Sequence, residues 1–188
     1  MGKRVFDGIF ALILVLLFSW LLIILWLIAT IDTHTNGIFR QDRIGQFGEK
    51  FEIYKLRTIQ VFTAEKGNIT KVGQLLRKYK LDEFPQLFNV LKGEMSFVGP
   101  RPDVPGYYDL LKGENRKILE LKPGLTSLAA LKYYNEEKLL ALQKDPLWFN
   151  DNVIFLDKVR LNLKYYYHRS FFGDIKIIVK SVALIYSK

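Results

Sequence analysis

Between Leu81 and Pro102 the chain reads LDEFPQLFNVLKGEMSFVGPRP, and its charged residues are of the types that handle phosphate. Asp82 and Glu83 form an adjacent acid pair at what reads as a helix start. Arg101 lies between Pro100 and Pro102, whose fixed φ angles stiffen its presentation. One carboxylate of such a pair can hold a hard cation while the other attacks phosphorus, and a guanidinium can grip a phosphate. The same residues have a plainer use. Asp82 could cap the helix, with Glu83 a favourable charge at the positive end of its dipole. Spacing alone leaves both uses open.

Several elements must hold these groups. Pro85 suits a first helical turn, Leu87, Phe88 and Leu91 give an apolar face, and Gly93 is a C-terminal stop. A short strand is expected over residues 95–98. Upstream, residues 71–79 read as a basic helix that brings Arg77 within five residues of Asp82. Before it, Gly45 and Gly48 mark a turn ahead of a strand-like run holding Phe51, Ile53 and Leu56. Arg40, Arg43, Lys50, Lys55 and Arg57 crowd this stretch, which fits either a basic patch facing a membrane or a phosphate-binding hairpin. Residues 60–70 read as a polar loop.

Downstream, short helices are expected over residues 107–111 and 115–121, then a loop over 122–127. Longer helices follow over residues 129–143 and 153–167, separated by Asp145-Pro146. Over residues 174–186, Ile175, Ile178, Val179, Val182 and Ile185 fall near one helical face, with Lys176 and Lys180 off it. That pattern fits an interfacial amphipathic helix or a core helix.

The chain of 188 residues has no cysteine, which excludes disulfides, thiolate metal sites and a cysteine nucleophile. Its two histidines, His34 and His168, lack metal-ligand spacing. A hard cation on carboxylates and phosphate oxygens, most simply Mg²⁺, is the metal this composition suits. Lysine and arginine number 28 against 19 acids, and the charges of residues 1–32 cancel, so the net +9 lies entirely beyond them. Such a surface attracts nucleic acid, anionic lipid or a phosphorylated substrate. No helix-turn-helix, RNA-recognition or zinc motif accompanies it, so no nucleic-acid partner is expected.

From Ile9 to Ile31 there are 23 residues without a charge, enough to cross a bilayer. Lys3 and Arg4 before the run vote for a cytoplasmic N-terminus, and Arg40, Arg43 and Lys50 after it vote for the same side. Both are satisfied if the segment enters and leaves through one leaflet, with Ser19 a candidate bend. No proline or glycine interrupts the run, so a straight span is the alternative.

Taken together, these stretches resemble the bacterial sugar transferases of the monotopic phosphoglycosyl transferase type. The resemblance runs from Lys3-Arg4-Val5-Phe6-Asp7 through Gln41-x-Arg43-x-Gly45 and Phe51-x-Ile53-Tyr54-Lys55-x-Arg57-Thr58. It continues across the block from Leu81 to Pro102, then Lys122-Pro123-Gly124-Leu125-Thr126 and Asp174-Ile175-Lys176. It implies an Mg²⁺-dependent enzyme that moves a phosphosugar from a UDP-sugar to a polyprenol (undecaprenyl) phosphate, the first membrane step of glycan assembly. Asp82 would be the nucleophile, releasing UMP and carrying the phosphosugar covalently. Glu83, with Asp82, would hold Mg²⁺. Arg101 would bind phosphate or seat the nucleotide, Arg77 would support the site, and Arg43, Lys55 and Arg57 would contact substrate.

The same resemblance implies a bacterial inner-membrane location with catalysis on the cytoplasmic face. The expected architecture is a helix-rich α/β single compact domain, with a re-entrant membrane helix hairpin over residues 1–36 and a membrane-associated catalytic domain over 37–188. Surface amphipathic helices would contact membrane lipids. Helix should exceed strand, and the strands should form a small, mostly antiparallel hairpin or sheet. Three departures stand out. The family's Ser-Pro bend is here Ser19-Trp20, a family aspartate is here Asn162 and has no catalytic role assigned, and the stretch 132–157 is longer than in small members. That stretch is expected to shape sugar choice. The sugar itself and the oligomeric state are left open.

Overall fold

A computed structural model describes residues 2–60 and 67–186. Helix outweighs strand, and the residues group into two compact units. One holds the N-terminal helix, most of the hairpin and the acid pair; the other holds residues 44–49 and 96–182.

In the first unit, helix α1 (Gly2–Thr33) is one 32-residue element, with no turn at Ser19. The Ser19 hydroxyl donates to the Leu16 carbonyl at 3.1 Å, a local bond that leaves the helix continuous. Its buried residues, Asp7, Ala11, Leu22, Leu25, Ala29 and Thr33, recur mostly at intervals of three and four and so mark one face. Ala11 and Ala29 are fully buried, and their small side chains let neighbouring elements come close. Leu25 and Ala29 join Leu56 and Leu76 in a core cluster, flanked by Leu21, Ile38, Val72 and Leu81. The remaining faces of α1 expose Ile9, Leu16, Leu17, Trp20 and Ile31 among others.

Strands β1 (Ile38–Ile44) and β2 (Lys50–Leu56) pair across a 3-10 turn at Gln46–Gly48, the hairpin expected from Gly45 and Gly48. Short strands β3 (Ile59–Gln60) and β4 (Asn68–Ile69) pair antiparallel, with all but Ile59 falling in residues 60–70, expected to be loop. Residues 61–66 of that loop lie outside the described residues. Helix α2 (Lys71–Lys78) is capped by Thr70, whose hydroxyl accepts the Gly73 N–H.

A 3-10 turn at Leu81–Glu83 precedes helix α3 (Gln86–Lys92). The acid pair therefore sits one turn ahead of the helix rather than at its start. Gly93 ends α3 at φ 86°, as the sequence predicts. Arg4 donates to the Val90 and Leu91 carbonyls at 2.6 and 2.8 Å, placing a cation on the negative end of α3. A Cβ at position 93 would lie 2.8 Å from that guanidinium.

The second unit contains the only parallel pair among the described residues: β5 (Ser96–Val98) beside β6 (Gly124–Thr126). The strands thus form three separate pairs rather than one sheet. The backbones of Gly99 and Gly124 meet so closely that a Cβ on Gly124 would lie 2.1 Å from the Gly99 nitrogen. The short helices expected at 107–111 and 115–121 are 3-10 turns, Tyr108–Leu110 and Gly113–Glu120. Ile44, Tyr108, Ile118, Leu119 and Val159 form this unit's buried cluster.

Where one helix was expected over residues 129–143, two short ones stand, α4 (Leu128–Lys132) and α5 (Glu136–Ala141). The break follows a tertiary demand: Lys132 Nζ and the Tyr133 hydroxyl both donate to Asp157, at 2.7 and 2.8 Å. Helix α6 (Pro146–Phe149) and a π turn lead into α7 (Phe155–His168), and α8 (Phe171–Tyr186) follows. On α8 the buried residues are Asp174 and Ile177, while Val179 and Val182 are exposed. Asp174 is buried because the Tyr165 hydroxyl lies 2.6 Å from its Oδ1 and 3.3 Å from the Val98 carbonyl.

Replacing Gly124 with alanine forces backbone apart where no flexible side chain can yield. Gly124→Ala is expected to destabilise the protein by about 3 kcal/mol, read as a lowered midpoint in a thermal melt in detergent. An unchanged midpoint would show that the 99–124 contact is looser than described.

Candidate active site

The site is built where the end of β2, the last turn of α2 and the 3-10 turn before α3 converge within the first unit. Asn89 fixes this junction. It is fully buried, its Oδ1 accepts the Tyr54 N–H at 3.1 Å, and its Nδ2 donates to the Glu52 carbonyl at 2.7 Å. The same Nδ2 lies 2.7 Å from Glu94 Oε2. One amide thus sets the register of β2 against α3, which places Lys55 beside the acid pair. Lys55 Nζ lies 3.3 Å from Glu83 Oε1, and both side chains are largely buried. A buried pair of this kind adds little net stability, but it fixes geometry.

Lys80 precedes the turn at φ 57°, a left-handed conformation uncommon outside glycine and asparagine. It reverses the chain between α2 and the acid pair and adds a cation there. Arg77, in the last turn of α2, donates from Nε to the Thr58 hydroxyl at 2.9 Å.

Asp82 is 8% exposed, and its Oδ1 has no hydrogen-bond partner among the described residues. Burial raises its pKa above the usual carboxylate range, and the Glu83 charge raises it further. Lys55, Lys80 and Arg77 oppose both. A carboxylate made more basic by burial, with three cations near it, has the electrostatics that suit a nucleophile or a ligand of a hard cation. One turn on, Gln86 is 2% exposed and its Nε2 is likewise unpartnered. A buried acceptor and a buried donor left open four positions apart in the chain are the kind of groups that a ligand can complete.

Four of the residues singled out in the sequence, Lys55, Arg77, Asp82 and Glu83, are thus brought together. Arg57 is turned elsewhere: its Nε donates to the Asn36 carbonyl at 2.9 Å and its guanidinium lies over the Phe39 ring. Arg43 sits on β1 and donates to Gln41 Oε1 at 2.7 Å. Arg40 pairs with Glu52 at 3.4 Å and lies over Tyr54. Much of the hairpin's positive charge is therefore engaged within the protein. Arg101 belongs to the second unit, where it lines a small cavity with Gly45, Pro100, Pro102, Tyr108 and Pro123. Asn162, also there, is buried and donates to the Tyr108 hydroxyl at 2.9 Å.

Sequence reasoning assigned no role to Asn89, Lys80, Thr58 or Gln86. Each stood in a quoted motif or beside the acid pair, but nothing local says which backbone a buried amide will bond. Among the described residues no three acidic or histidine side chains gather into a metal cage. Asp82 and Glu83 are the two carboxylates here that could contribute to holding a hard cation such as Mg²⁺, which would need further oxygen ligands from outside the protein.

A family model described as bacterial sugar transferase matches residues 1–188. An uncharacterized sugar transferase of Bacillus subtilis, EpsL, is 35% identical over 189 residues, covering 96% of this chain and 85% of the relative. A UDP-glucose:undecaprenyl-phosphate glucose-1-phosphate transferase of Caulobacter vibrioides is 39% identical over 142 residues, 69% of this chain and 53% of the relative. An undecaprenyl-phosphate galactose phosphotransferase of Salmonella typhimurium is 35% identical over 150 residues, 67% of this chain and 31% of the relative. The match thus spans about half or less of the length of the last two. With a family match from the first residue to the last, the chain belongs to the bacterial sugar transferase family.

Proposed function

We propose that this protein transfers a sugar 1-phosphate from a UDP-sugar to a polyprenol phosphate through a covalent intermediate on Asp82. The observation that carries the reading is the buried Asp82 carboxylate with an open Oδ1, set among Lys55, Lys80 and Arg77. The names of the Caulobacter and Salmonella relatives supply the substrate class.

In the first step an Asp82 oxygen attacks the sugar-linked phosphorus. The bond from that phosphorus to the bridging oxygen breaks, and UMP leaves with the electron pair. In the second, a phosphate oxygen of the lipid attacks the same phosphorus, and the bond to Asp82 breaks to restore the carboxylate. Arg77 and Lys55 offset the charge that gathers as two anions meet. Lys55 also orients Glu83, leaving Asp82 free to react. Mg²⁺, held by Glu83 and Asp82, would supply further charge neutralisation on the diphosphate.

The same reading gives the membrane helix its purpose, since the acceptor is a lipid whose phosphate stays at the interface. Both ends of α1 are tied to one unit: Arg4 to the end of α3, and Asp32 to Thr70, whose hydroxyl donates to it. A helix crossing the bilayer would carry one end about 30 Å away from that unit. The two ties therefore support both ends of α1 lying on the cytoplasmic side. On α8, exposed Phe171, Phe172, Val179 and Val182, with Lys176 and Lys180, support an interfacial role.

Intact mass spectrometry tests the chemistry. With Mg²⁺ and a panel of UDP-sugars but no lipid, the protein is expected to gain the mass of one phosphosugar and release UMP. Asp82→Asn should show no adduct, and its turnover with lipid present should fall at least about 1,000-fold. UMP that appears only once lipid is added would overturn the covalent route in favour of direct attack.

The topology has its own test, made simple by the absence of native cysteine. Gly2→Cys and Thr35→Cys are both expected to resist a membrane-impermeant maleimide in intact spheroplasts and to react in inverted vesicles. Labelling of either one in intact spheroplasts would mean that α1 spans.

A further inference from the structure

The acid pair is held from several sides, but one of its cations depends on a residue that does no chemistry. Thr58 follows β2 and is 5% exposed. Its hydroxyl oxygen accepts the Arg77 Nε–H at 2.9 Å, and its carbonyl accepts the Thr70 N–H at 3.1 Å. Thr70 is the cap of α2, the helix whose last turn carries Arg77. Thr58 thus contacts α2 at its first turn through the backbone and at its last turn through the side chain.

The consequence lies in the shape of the guanidinium. An arginine has five N–H donors in a rigid plane, one on Nε and four on the two terminal nitrogens. With Nε committed to Thr58, the plane can no longer spin about the side-chain axis. The terminal nitrogens bond to no described residue, and Arg77 is near enough for its charge to act on Asp82. A fork anchored at its base and open at its tip is the geometry for gripping a phosphate by two parallel bonds.

We infer that Thr58 is a positioning residue, which aims the open end of the Arg77 guanidinium at the diphosphate of the nucleotide-sugar donor beside Asp82. The inference rests on the transferase reading for the identity of that anion. The Thr58–Arg77 bond itself does not.

The test uses the full chain in detergent or nanodiscs with Mg²⁺, undecaprenyl phosphate, and UDP-glucose, UDP-galactose or UDP-N-acetylgalactosamine, whichever yields UMP. Thr58→Val keeps the shape and removes the acceptor; Thr58→Ser keeps the acceptor. Thr58→Val is expected to lower kcat/KM about tenfold or more, and Thr58→Ser to stay within about twofold of the parent. In an Arg77→Ala background, adding Thr58→Val should cost nothing further. Equal activity in Thr58→Val and parent, equal damage in Thr58→Val and Thr58→Ser, or a further loss in the Arg77→Ala background would overturn the inference.

A second readout needs no substrate. In protein labelled with ¹⁵N-arginine, the Arg77 Nε–H is expected to be slow to exchange with solvent, fast in Thr58→Val and slow again in Thr58→Ser. Unchanged exchange in Thr58→Val would remove the tether on which the inference stands. If the parent forms no UMP from any donor, the transferase reading fails, and the exchange experiment still decides the tether on its own.

Discussion

A carboxylate taken out of water without a partner for one of its oxygens is a cost the fold must carry, and Asp82 is that cost here. The elements of the first unit are arranged around meeting it. Lys55 arrives on a strand, Arg77 on a helix and Lys80 in a left-handed turn, each from a different element. None of the three bonds Asp82 Oδ1, so their charges oppose the rise that burial and Glu83 cause while that oxygen stays open. The Lys55–Glu83 pair and the Asn89 amide serve this arrangement by fixing where strand and turn meet. Electrostatic preorganisation of this kind needs rigid supports, because charges that could relax toward each other would lose their effect on a substrate.

The N-terminal helix carries two loads. Along one face its alanines and leucines complete the core beneath the site, and around the rest it presents side chains that water does not favour. A helix with only the second role could be exchanged for any apolar anchor. Because Ala29 and Leu25 pack with Leu56 and Leu76, this one belongs to the same core as the strand and helix that deliver Lys55 and Arg77.

The sequence made the local frame of the acid pair legible, because the pair, Pro85 and Gly93 lie within a few residues of one another. The basic helix before them and the Gly45–Gly48 turn were legible for the same reason. What escaped was whatever depends on distant partners. The helix expected over residues 129–143 breaks because Lys132 and Tyr133 reach Asp157, a contact across some 25 positions that periodicity does not encode. Strand pairing at 59–60 with 68–69 falls mostly in a stretch whose composition says loop. Arg57 and Lys55 look alike two positions apart, yet one turns to Asn36 and the other to Glu83. On α8 the burial of Asp174 beside Ile177 was not legible, because it depends on the hydroxyl of Tyr165.

The bond from Arg4 to the end of α3 also sets an order of events during synthesis. Its partners are 86 and 87 positions apart in the chain. At bacterial-scale elongation of about 5–20 residues per second, α1 waits on the order of 4–17 s before α3 exists to receive it. Throughout that interval the Arg4 guanidinium is without the two carbonyls that hold it in the folded protein. The first unit is therefore completed by a late, long-range closure, of the sort that folds slowly.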